Sequence, residues 1–522
     1  MGISWIEEAK RFKSRLPVVA GFLLRSREAK AAKCRRLRDE NTGLQQRLEE
    51  QTRRIREQDE EIERLKREIR QLEMQQRAKA TMDPIVLPED PPVGSHGYGS
   101  RMIALAVNLA RAVGLRGAAR AIEMFFQWLG IARKTPDWTS IRNWLGRLGV
   151  AAIHEPMERA DDWIWMADHS NQIGPEKALV MLGVRASQLP EPGTALNHED
   201  VRVLTVEPGT EWKRDDMAGI YDRLAEQYGP PRALVVDGAV ELREGANCLK
   251  KRRSDMVVLR DFKHYAASVL KSLVGNDERF KEFVTRVGQT RSAIQQTELA
   301  HLTPPSSKPK SRFMNLAATL HWAGVTSWLL EHPDATSREG LTGERLEEKL
   351  GWLREFGHDL GVWQECQRII SSSVTFINEQ GLYRGASAAL RRDIDTTSLI
   401  HETSKQLAER LITFVGDAEQ QLNEGERLPM STEILESSFS LYKQLERQHS
   451  KGGFTGLLST FAALLKPATP ESVSNAFAKV STKDVRNWIS EHLGATLTSR
   501  RRAAYAEYAN ATQRATIEPV RS

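Results

Sequence analysis

Two short hydrophobic segments that each end in an aspartate are the residues best suited to chemistry in this chain. Trp163–Asp168 is rich in bulky β-forming residues, and Arg232–Asp237 has the same design, with Gly238 after it. A carboxylate at the end of a buried strand is costly unless a cation, hydrogen bonds or a metal ion compensates it. Carboxylate oxygens suit Mg²⁺, so Asp168 and Asp237 on two strands could hold such an ion. Either aspartate alone could equally cap a helix or form a turn.

The elements that would position these aspartates follow one another in an informative order. Three strands, a helix, a strand, a further strand and another helix are predicted, at 162–168, Lys177–Val184, Val201–Val206, Asp215–Gln227, 232–237, Met256–Leu259 and a helix that carries Asp261 and His264. This is the order of the ribonuclease H fold, in which the first and fourth strands are neighbours. Asp168 and Asp237 are therefore expected to meet at one edge.

Length, cysteine content and apolar runs bound the class of protein. The 522 residues are too many for one hydrophobic core, so several domains are expected. Cys34, Cys248 and Cys366 are far apart and offer neither a zinc-ligand spacing nor a disulfide framework. The early apolar run Leu16–Leu24 is too short to span a bilayer. A cytoplasmic protein with no membrane partner is predicted.

The N-terminal region has the pattern of a coiled coil. Leucine and isoleucine recur every seven residues at Leu48, Ile55, Ile62 and Ile69. Leu37, Leu44, Leu65 and Leu72 occupy a second, interleaved set of heptad positions, whose middle is weakened by Gln51 and Gln58. Isoleucine and leucine in this arrangement favour a parallel two-stranded coiled coil, so a homodimer through residues 37–72 is predicted. A single long surface helix is the alternative, but its apolar seam would face water.

A basic helical region follows a proline-rich linker at 81–97. Helices are predicted at 99–112, 116–129 and 136–148, the last with Thr135 as N-cap and Pro136 in its first turn. Residues 101–150 contain eight basic and two acidic side chains. Two helices joined by a short turn, the second with Arg142 and Arg147 facing outward, are typical of a helix-turn-helix that binds DNA. Any small three-helix packing unit could show the same pattern.

After about residue 275 the chain is predicted to be almost entirely helical. The segment 431–447 has an apolar stripe, with Glu436 near its edge and Lys443 two turns further on. The fold class is therefore mostly α with an α/β core. The predicted domains are an N-terminal helix and coiled coil (1–80), the linker (81–97), a helix-turn-helix (98–152), a sheet core (160–275), a helical insertion (276–425), a glutamate helix (426–450) and a helical tail (451–522).

Asp168, Asp237 and Glu436, with a helical block between the last two, resemble the acidic triad of bacterial insertion-sequence transposases. These enzymes have a ribonuclease H-like catalytic domain, and several branches insert a helical domain before the glutamate. The segment Glu436-Ser-Ser-Phe-Ser-Leu-Tyr-Lys443 looks like their glutamate helix, and Asp261-Phe-Lys-His264 resembles an Asp-x-x-His element found in some of them. One departure is that Pro429 and Thr432 stand where related enzymes have Tyr and Arg.

The resemblance implies a DNA transposase that uses Mg²⁺, with Mn²⁺ able to replace it, and acts on double-stranded DNA in the bacterial cytoplasm. Asp168, Asp237 and Glu436 would hold the metal ions, and Lys443 would contact phosphate. Glu433 is the rival to Glu436. His264 and Asp261 could belong to the site or be structural, and Trp322 could stack on a flipped base or belong to the core.

Two other functions stay open at this point. The chain could be a catalytically silent DNA-binding or regulatory protein that keeps a transposase fold. It could also be a metal-dependent DNA nuclease without strand transfer. A dimerising segment beside a DNA-reading module favours the transposase, because both serve the pairing of two specific DNA ends.

Overall fold

The structure is a computed structural model. It describes residues 88–94, 97–171, 177–209, 211–306, 316–332, 343–447, 456–493 and 503–509, together with Phe313 and short stretches before residue 70, of which 60–69 is the longest. The chain divides into two compact units, Met1–Pro88 and Glu89–Ser522. The finer domain boundaries of the previous section stay predictions.

In the first unit, residues 60–69 are helical, and they carry part of the predicted coiled-coil seam. Ile62, Leu65 and Ile69 are 47, 46 and 55 % exposed in the single chain. Half-exposed Ile and Leu side chains on one helix are consistent with a seam that needs a partner. The other seam positions, Leu37, Leu44, Leu48, Ile55 and Leu72, lie outside the described residues. The homodimer therefore stays a prediction.

The second unit is built around a five-stranded mixed sheet. Its strands are β1 (Trp163–Asn171), β2 (Lys177–Arg185), β3 (Arg202–Gly209), β4 (Ala233–Val236) and β5 (Val257–Arg260). Their order is β3-β2-β1-β4-β5, with β1–β2 and β2–β3 antiparallel and β1–β4 and β4–β5 parallel. This is the predicted arrangement of a ribonuclease H-like α/β fold.

Two helices pack against one face of the sheet. Helix α3 (Arg214–Tyr228) follows β3, and α4 (Val240–Lys250) follows β4. Their buried side chains form one core with the strands, including Trp165, Tyr221 and Leu242. The fully buried β4 places an apolar run between two parallel neighbours, as expected for a central strand.

Before the sheet lie helices α1 (Ser100–Trp128) and α2 (Trp138–Ile153). Gly114, at φ +79°, breaks α1 at the point where the sequence predicts two helices. The predicted N-cap of α2 was wrong. Asp137 caps this helix, and its side chain accepts hydrogen bonds from the backbone N–H groups of Thr139 and Ser140. Within the described residues, α1 alone has the length and apolar composition to cross a membrane, although half of its most apolar window is buried in the protein.

Helix α2 is enclosed rather than presented to solvent. The 3₁₀ segment Gly456–Leu464 and helices Pro470–Lys479 and Thr482–Leu493, which come from the C-terminal region, pack around it. Gly149 permits this approach, because a Cβ there would lie 2.0 Å from the Ser459 carbonyl oxygen. The helix predicted at 136–148 is present, but its predicted basic outer face holds only at Arg142, because Arg147 is buried. The structure does not confirm a helix-turn-helix.

After β5 comes helix α5 (Phe262–Val274), and then a helical block. Its main helices are Glu278–Ile294, Leu316–Glu331, Gly343–Leu350, Gly357–Gln380, Ala386–Ile394 and Glu402–Glu419. Two short strands, Leu382–Tyr383 and Arg427–Leu428, pair at its end. The chain then enters helix α6 (Glu433–Arg447), which carries the predicted glutamate.

Candidate active site

Asp168 and Asp237 come together because β1 and β4 are parallel neighbours. The register pairs Ala167 with Val236, and each aspartate is the residue that follows this pair in the chain. β4 ends at Val236, whereas β1 continues to Asn171, so Asp168 lies inside its strand rather than at its end as predicted. Gly238, at φ +100°, turns the chain away directly after Asp237.

Each aspartate has one hydrogen bond from the backbone. Asp168 Oδ1 accepts from the N–H of His169 at 2.6 Å, and Asp237 Oδ1 accepts from the N–H of Ala239 at 2.7 Å. These bonds orient the two carboxylates but leave acceptor capacity on both.

The environment of Asp168 opposes its ionisation. Its side chain is almost fully buried, and this burial, together with the charge of Asp237, raises the pKa of Asp168 to about 8. Two influences lower this pKa, the positive charge of His264 and the hydrogen bond from the N–H of His169. A cation bound between a buried carboxyl group and a second carboxylate would relieve their repulsion and compensate the cost of burying charge.

Glu436 lies on the first turns of α6 and is held by two cationic side chains from the first turn of α5. Lys263 Nζ lies 2.8 Å from Glu436 Oε2, and His264 Nε2 lies 3.5 Å from Glu436 Oε1. Burial would raise the pKa of Glu436, but the contacts with His264 and Lys263 outweigh it and lower this pKa to about 2. Glu436 is therefore ionised at every pH near neutrality.

His264 connects the glutamate to the two aspartates. Burial would lower its pKa, but Glu436 and the charges of Asp261, Asp237 and Asp168 raise it to about 9. All three predicted acids therefore act on one imidazolium. His264, which from the sequence could belong to the site or be structural, belongs to the same charged cluster.

The rival glutamate, Glu433, points elsewhere. It accepts a hydrogen bond from Asn378 of the helical block, and Lys263 Nζ lies 3.5 Å from its Oε1. The charge of Glu436, in contrast, is one of those that raise the pKa of Asp168. This difference favours Glu436 as the third acid.

Asp261 has a structural task. It is 1 % exposed, caps α5 by accepting from the N–H of His264, and accepts two hydrogen bonds from Thr432, from its N–H and its hydroxyl. The N–H of Phe262 also donates to the Met430 carbonyl oxygen at 2.9 Å. Asp261 therefore fixes the start of the glutamate helix against α5, and its acceptor oxygens are already used.

A second attachment was not foreseen from the sequence. Arg232, at the start of β4, donates through two nitrogens to the two carboxylate oxygens of Glu426, both at 2.6 Å. This nearly buried ion pair joins the central strand to the turn that precedes α6. Little in the sequence indicates this ion pair, because an arginine before an apolar strand and a glutamate in a distant polar turn are both common. Lys263 was also missed, although it stands inside the Asp261-Phe-Lys-His264 element.

The predicted DNA-binding residues have different surroundings. Arg142 is exposed, with its guanidinium 5.8 Å from the centre of the Trp138 ring. Arg147 was expected to face outward, and this is wrong. It is 6 % exposed, donates to the carbonyl oxygens of Val480 and Phe477, and stacks 3.7 Å from the Phe477 ring centre.

Two further predicted residues lie in or near cores. Lys443 is half-buried, two turns after Glu436 on α6. Trp322 is 9 % exposed, and its indole N–H donates to the Leu302 carbonyl oxygen at 2.6 Å. Its ring is thus part of the packing of the helical block, and it is not free to stack on a base.

The three acids fit a divalent cation in their chemistry but not in their present arrangement. Among the described residues, no three His, Cys, Asp or Glu side chains are already gathered closely enough to hold one. The chemistry of the donors nevertheless fits, because Asp168 and Asp237 are adjacent carboxylates with free acceptor capacity and Glu436 is ionised. Glu436 would have to leave its contacts with Lys263 and His264 to join them.

Comparisons with known proteins add little. No protein-family model matches the chain, and no curated protein is similar enough in sequence to match it. A solved structure described as the Drosophila P element transposase strand transfer complex is similar over 80 % of this chain and 100 % of that chain, at 10 % identity and a TM-score of 0.36. A likeness at this level does not assign a function.

Proposed function

We propose that this protein is a DNA transposase of the type that uses two aspartates and a glutamate. The observation that supports this most is the juxtaposition of Asp168 and Asp237 on parallel β1 and β4, with Glu436 electrostatically coupled to Asp168 after a long helical block. Phosphodiester cleavage at the element ends and joining of the 3′ ends to target DNA are the proposed reactions. Double-stranded DNA is the proposed partner.

Both reactions are in-line displacements at phosphorus. In the first, a water oxygen bonds to phosphorus while the bond to the 3′ oxygen breaks, which leaves a 3′-hydroxyl. In the second, that hydroxyl bonds to a phosphorus of the target strand and displaces its 3′ oxygen. Mg²⁺ or Mn²⁺, held by Asp168, Asp237 and Glu436, would activate the attacking oxygen and stabilise the leaving one.

The chain's own residues have definable tasks in this scheme. Asp168 has to give up its proton before it can serve as a ligand, because at neutral pH its raised pKa keeps most of it protonated. Glu436 has to exchange Lys263 and His264 for the ion, which leaves both cationic side chains free to face a phosphate. Asp261 and Thr432 keep the glutamate helix in place during this exchange.

The test is a cleavage and strand-transfer assay on a plasmid that carries the chromosomal sequences flanking the gene. Asp168→Asn, Asp237→Asn and Glu436→Gln should each abolish both steps in Mg²⁺ and in Mn²⁺, while DNA binding survives. Glu433→Gln is the matched control, one helical turn away, and should retain activity. Loss of activity in Glu433→Gln but not in Glu436→Gln would show that the third acid is misassigned.

The same assay separates the alternatives. Cleavage without joining would make the protein a metal-dependent nuclease. DNA binding by the wild type without any cleavage would make the protein a catalytically silent DNA-binding protein with a transposase fold. The ion pairs of Glu436 with Lys263 and His264 are compatible with that function, because they occupy the carboxylate. Wild-type activity in all three acid variants would refute the catalytic site itself.

A further inference from the structure

We propose that a surface formed by Arg116, Arg120 and Arg142 around Trp138, here named the arginine surface, binds the phosphate backbone of duplex DNA. The inference rests on the proposed function. It keeps Arg142, which the sequence predicted, and adds Arg116 and Arg120 of α1, which the sequence did not single out. Arg147, the second arginine expected to contact DNA, is unavailable because its side chain is buried.

Two elements build the arginine surface. Arg116 and Arg120 are four residues apart on the second half of α1, so they lie on the same side of that helix. Arg142 lies one turn after Trp138 at the start of α2. The guanidinium carbons of Arg116 and Arg142 lie 5.1 and 5.8 Å from the centre of the Trp138 ring. One half-buried indole thus contacts two cations from different helices.

The three arginines are exposed and lack acidic partners. Within the described residues, none of them forms an ion pair with a carboxylate. Some other surface arginines of this protein are paired, such as Arg214 with Asp215, Arg345 with Glu298 and Arg391 with Glu409. The guanidinium groups of the arginine surface, in contrast, remain available to an anionic ligand.

Few acidic residues lie near the arginine surface in the sequence. Residues 101–150 contain only Glu123 and Asp137 as acids. Asp137 is engaged with the backbone N–H groups at the start of α2. The exposed Lys134 adds a further positive charge between the two helices.

The chemistry of the surface fits regularly spaced phosphates. A guanidinium that stacks on an indole keeps its in-plane N–H donors free, and these match two phosphate oxygens at once. Stacking also limits the conformations of a long side chain, so less entropy is lost on binding. Contacts of this kind hold the backbone and do not read the sequence.

The experiment compares the full-length wild type with the triple variant Arg116→Ala, Arg120→Ala, Arg142→Ala on a 30-base-pair duplex over a range of salt concentrations. The affinity should fall by about 10- to 100-fold at low salt. The slope of log K against log salt should decrease by about 2 to 3, close to 0.9 for each lost phosphate contact. The corresponding triple lysine variant should recover most of the slope, because it keeps the charge.

A charge-matched control is available. Arg214→Ala, Arg345→Ala, Arg391→Ala removes the same charge from paired surface arginines and should leave affinity and slope nearly unchanged. Equal losses in both triple variants would overturn the proposal, because net charge alone would then explain them. An unchanged slope in the first variant would also overturn it.

Two further outcomes separate this inference from the proposed function. If the first triple variant binds DNA like the wild type while Asp168→Asn abolishes cleavage, only the arginine surface is wrong. The last turn of α1 also exposes Phe125 and Trp128, so vesicles of anionic phospholipid are tested in parallel. Arginine-dependent binding to vesicles without binding to DNA would replace duplex DNA with a membrane as the partner.

Discussion

Replacing Asp168 with asparagine should stabilise the metal-free protein at alkaline pH. In the folded protein the pKa of Asp168 is raised to about 8, whereas an aspartate in the unfolded chain titrates near its ordinary value of 3.8. Between these two pH values the folded state holds a proton that the unfolded state has lost. The free energy of unfolding therefore falls as the pH rises through this interval. It stops falling on account of Asp168 above pH 8, where this group is ionised in both states.

The size of the effect follows from the difference between the two pKa values. Each pH unit in this interval lowers the free energy of unfolding by roughly 1.4 kcal/mol. The total loss of stability therefore approaches about 5 kcal/mol by pH 8. Asparagine has the shape of the protonated carboxyl group and no proton to lose. His264 adds a second decline in both proteins, since its folded pKa of about 9 means that its contribution is full below pH 6.5 and is lost as the pH rises to 9.

The assay is urea unfolding in the presence of a chelator at a series of pH values from 5 to 9. The wild type should lose stability steeply over this range, and Asp168→Asn should show only the shallower decline above pH 6.5. Asp161→Asn, at an exposed position just before β1, is the matched control and should behave as the wild type. At pH 8, Mg²⁺ should stabilise the wild type and not Asp168→Asn. Identical pH profiles for the wild type and Asp168→Asn would refute the assigned burial and charge pairing.

Three other substitutions test how the site and its surroundings are held. Arg147→Met should lower the free energy of unfolding by about 2–4 kcal/mol, measured by urea denaturation, because two buried carbonyl oxygens lose their donor; the DNA affinity of the folded fraction should not change. Asp261→Asn should lower the free energy of unfolding by about 1–3 kcal/mol, because the glutamate helix loses its attachment at Thr432. It should also slow cleavage more than it weakens DNA binding, which a comparison of single-turnover rates with equilibrium binding measures. Lys263→Met should raise the affinity for Mn²⁺ by about 3- to 10-fold in calorimetric titration, because the lysine competes for Glu436 at 2.8 Å; an unchanged affinity would mean that Glu436 does not bind the ion.

The sheet could be predicted from the sequence because each of its strands is a local signal. Apolar runs such as Trp163–Asp168 and Arg232–Asp237 are bounded by polar turns, and their order allows few topologies once connections are short and right-handed. The meeting of Asp168 with Asp237 then follows from the parallel pairing of two strands. Even the small error at β1, which continues to Asn171, leaves the two aspartates side by side.

The surroundings of α2 could not be predicted in the same way. The apolar stripe of this helix shows that one face is buried, and it does not show that residues more than 300 positions later bury the other. Arg147 donates to Val480 and Phe477, at sequence separations of 333 and 330 residues. The long apolar stem of an arginine lets it lie on a surface or in a buried contact of this kind. The residue type alone therefore could not predict whether Arg147 is exposed or buried.

The third acid depends on attachments that no local pattern reveals. Glu436 belongs to a helix whose start is tied to the sheet core by Asp261 with Thr432, and the turn before that helix is tied to β4 by Arg232 with Glu426. Tyr265 of α5 also stacks on Phe414 of the helical block, with ring centres 3.7 Å apart. These contacts fix the glutamate helix against the sheet core, although a long helical block separates it from β5 in the sequence. Thr432 has a clear part in this attachment, because its hydroxyl and its N–H both donate to the buried carboxylate that caps α5.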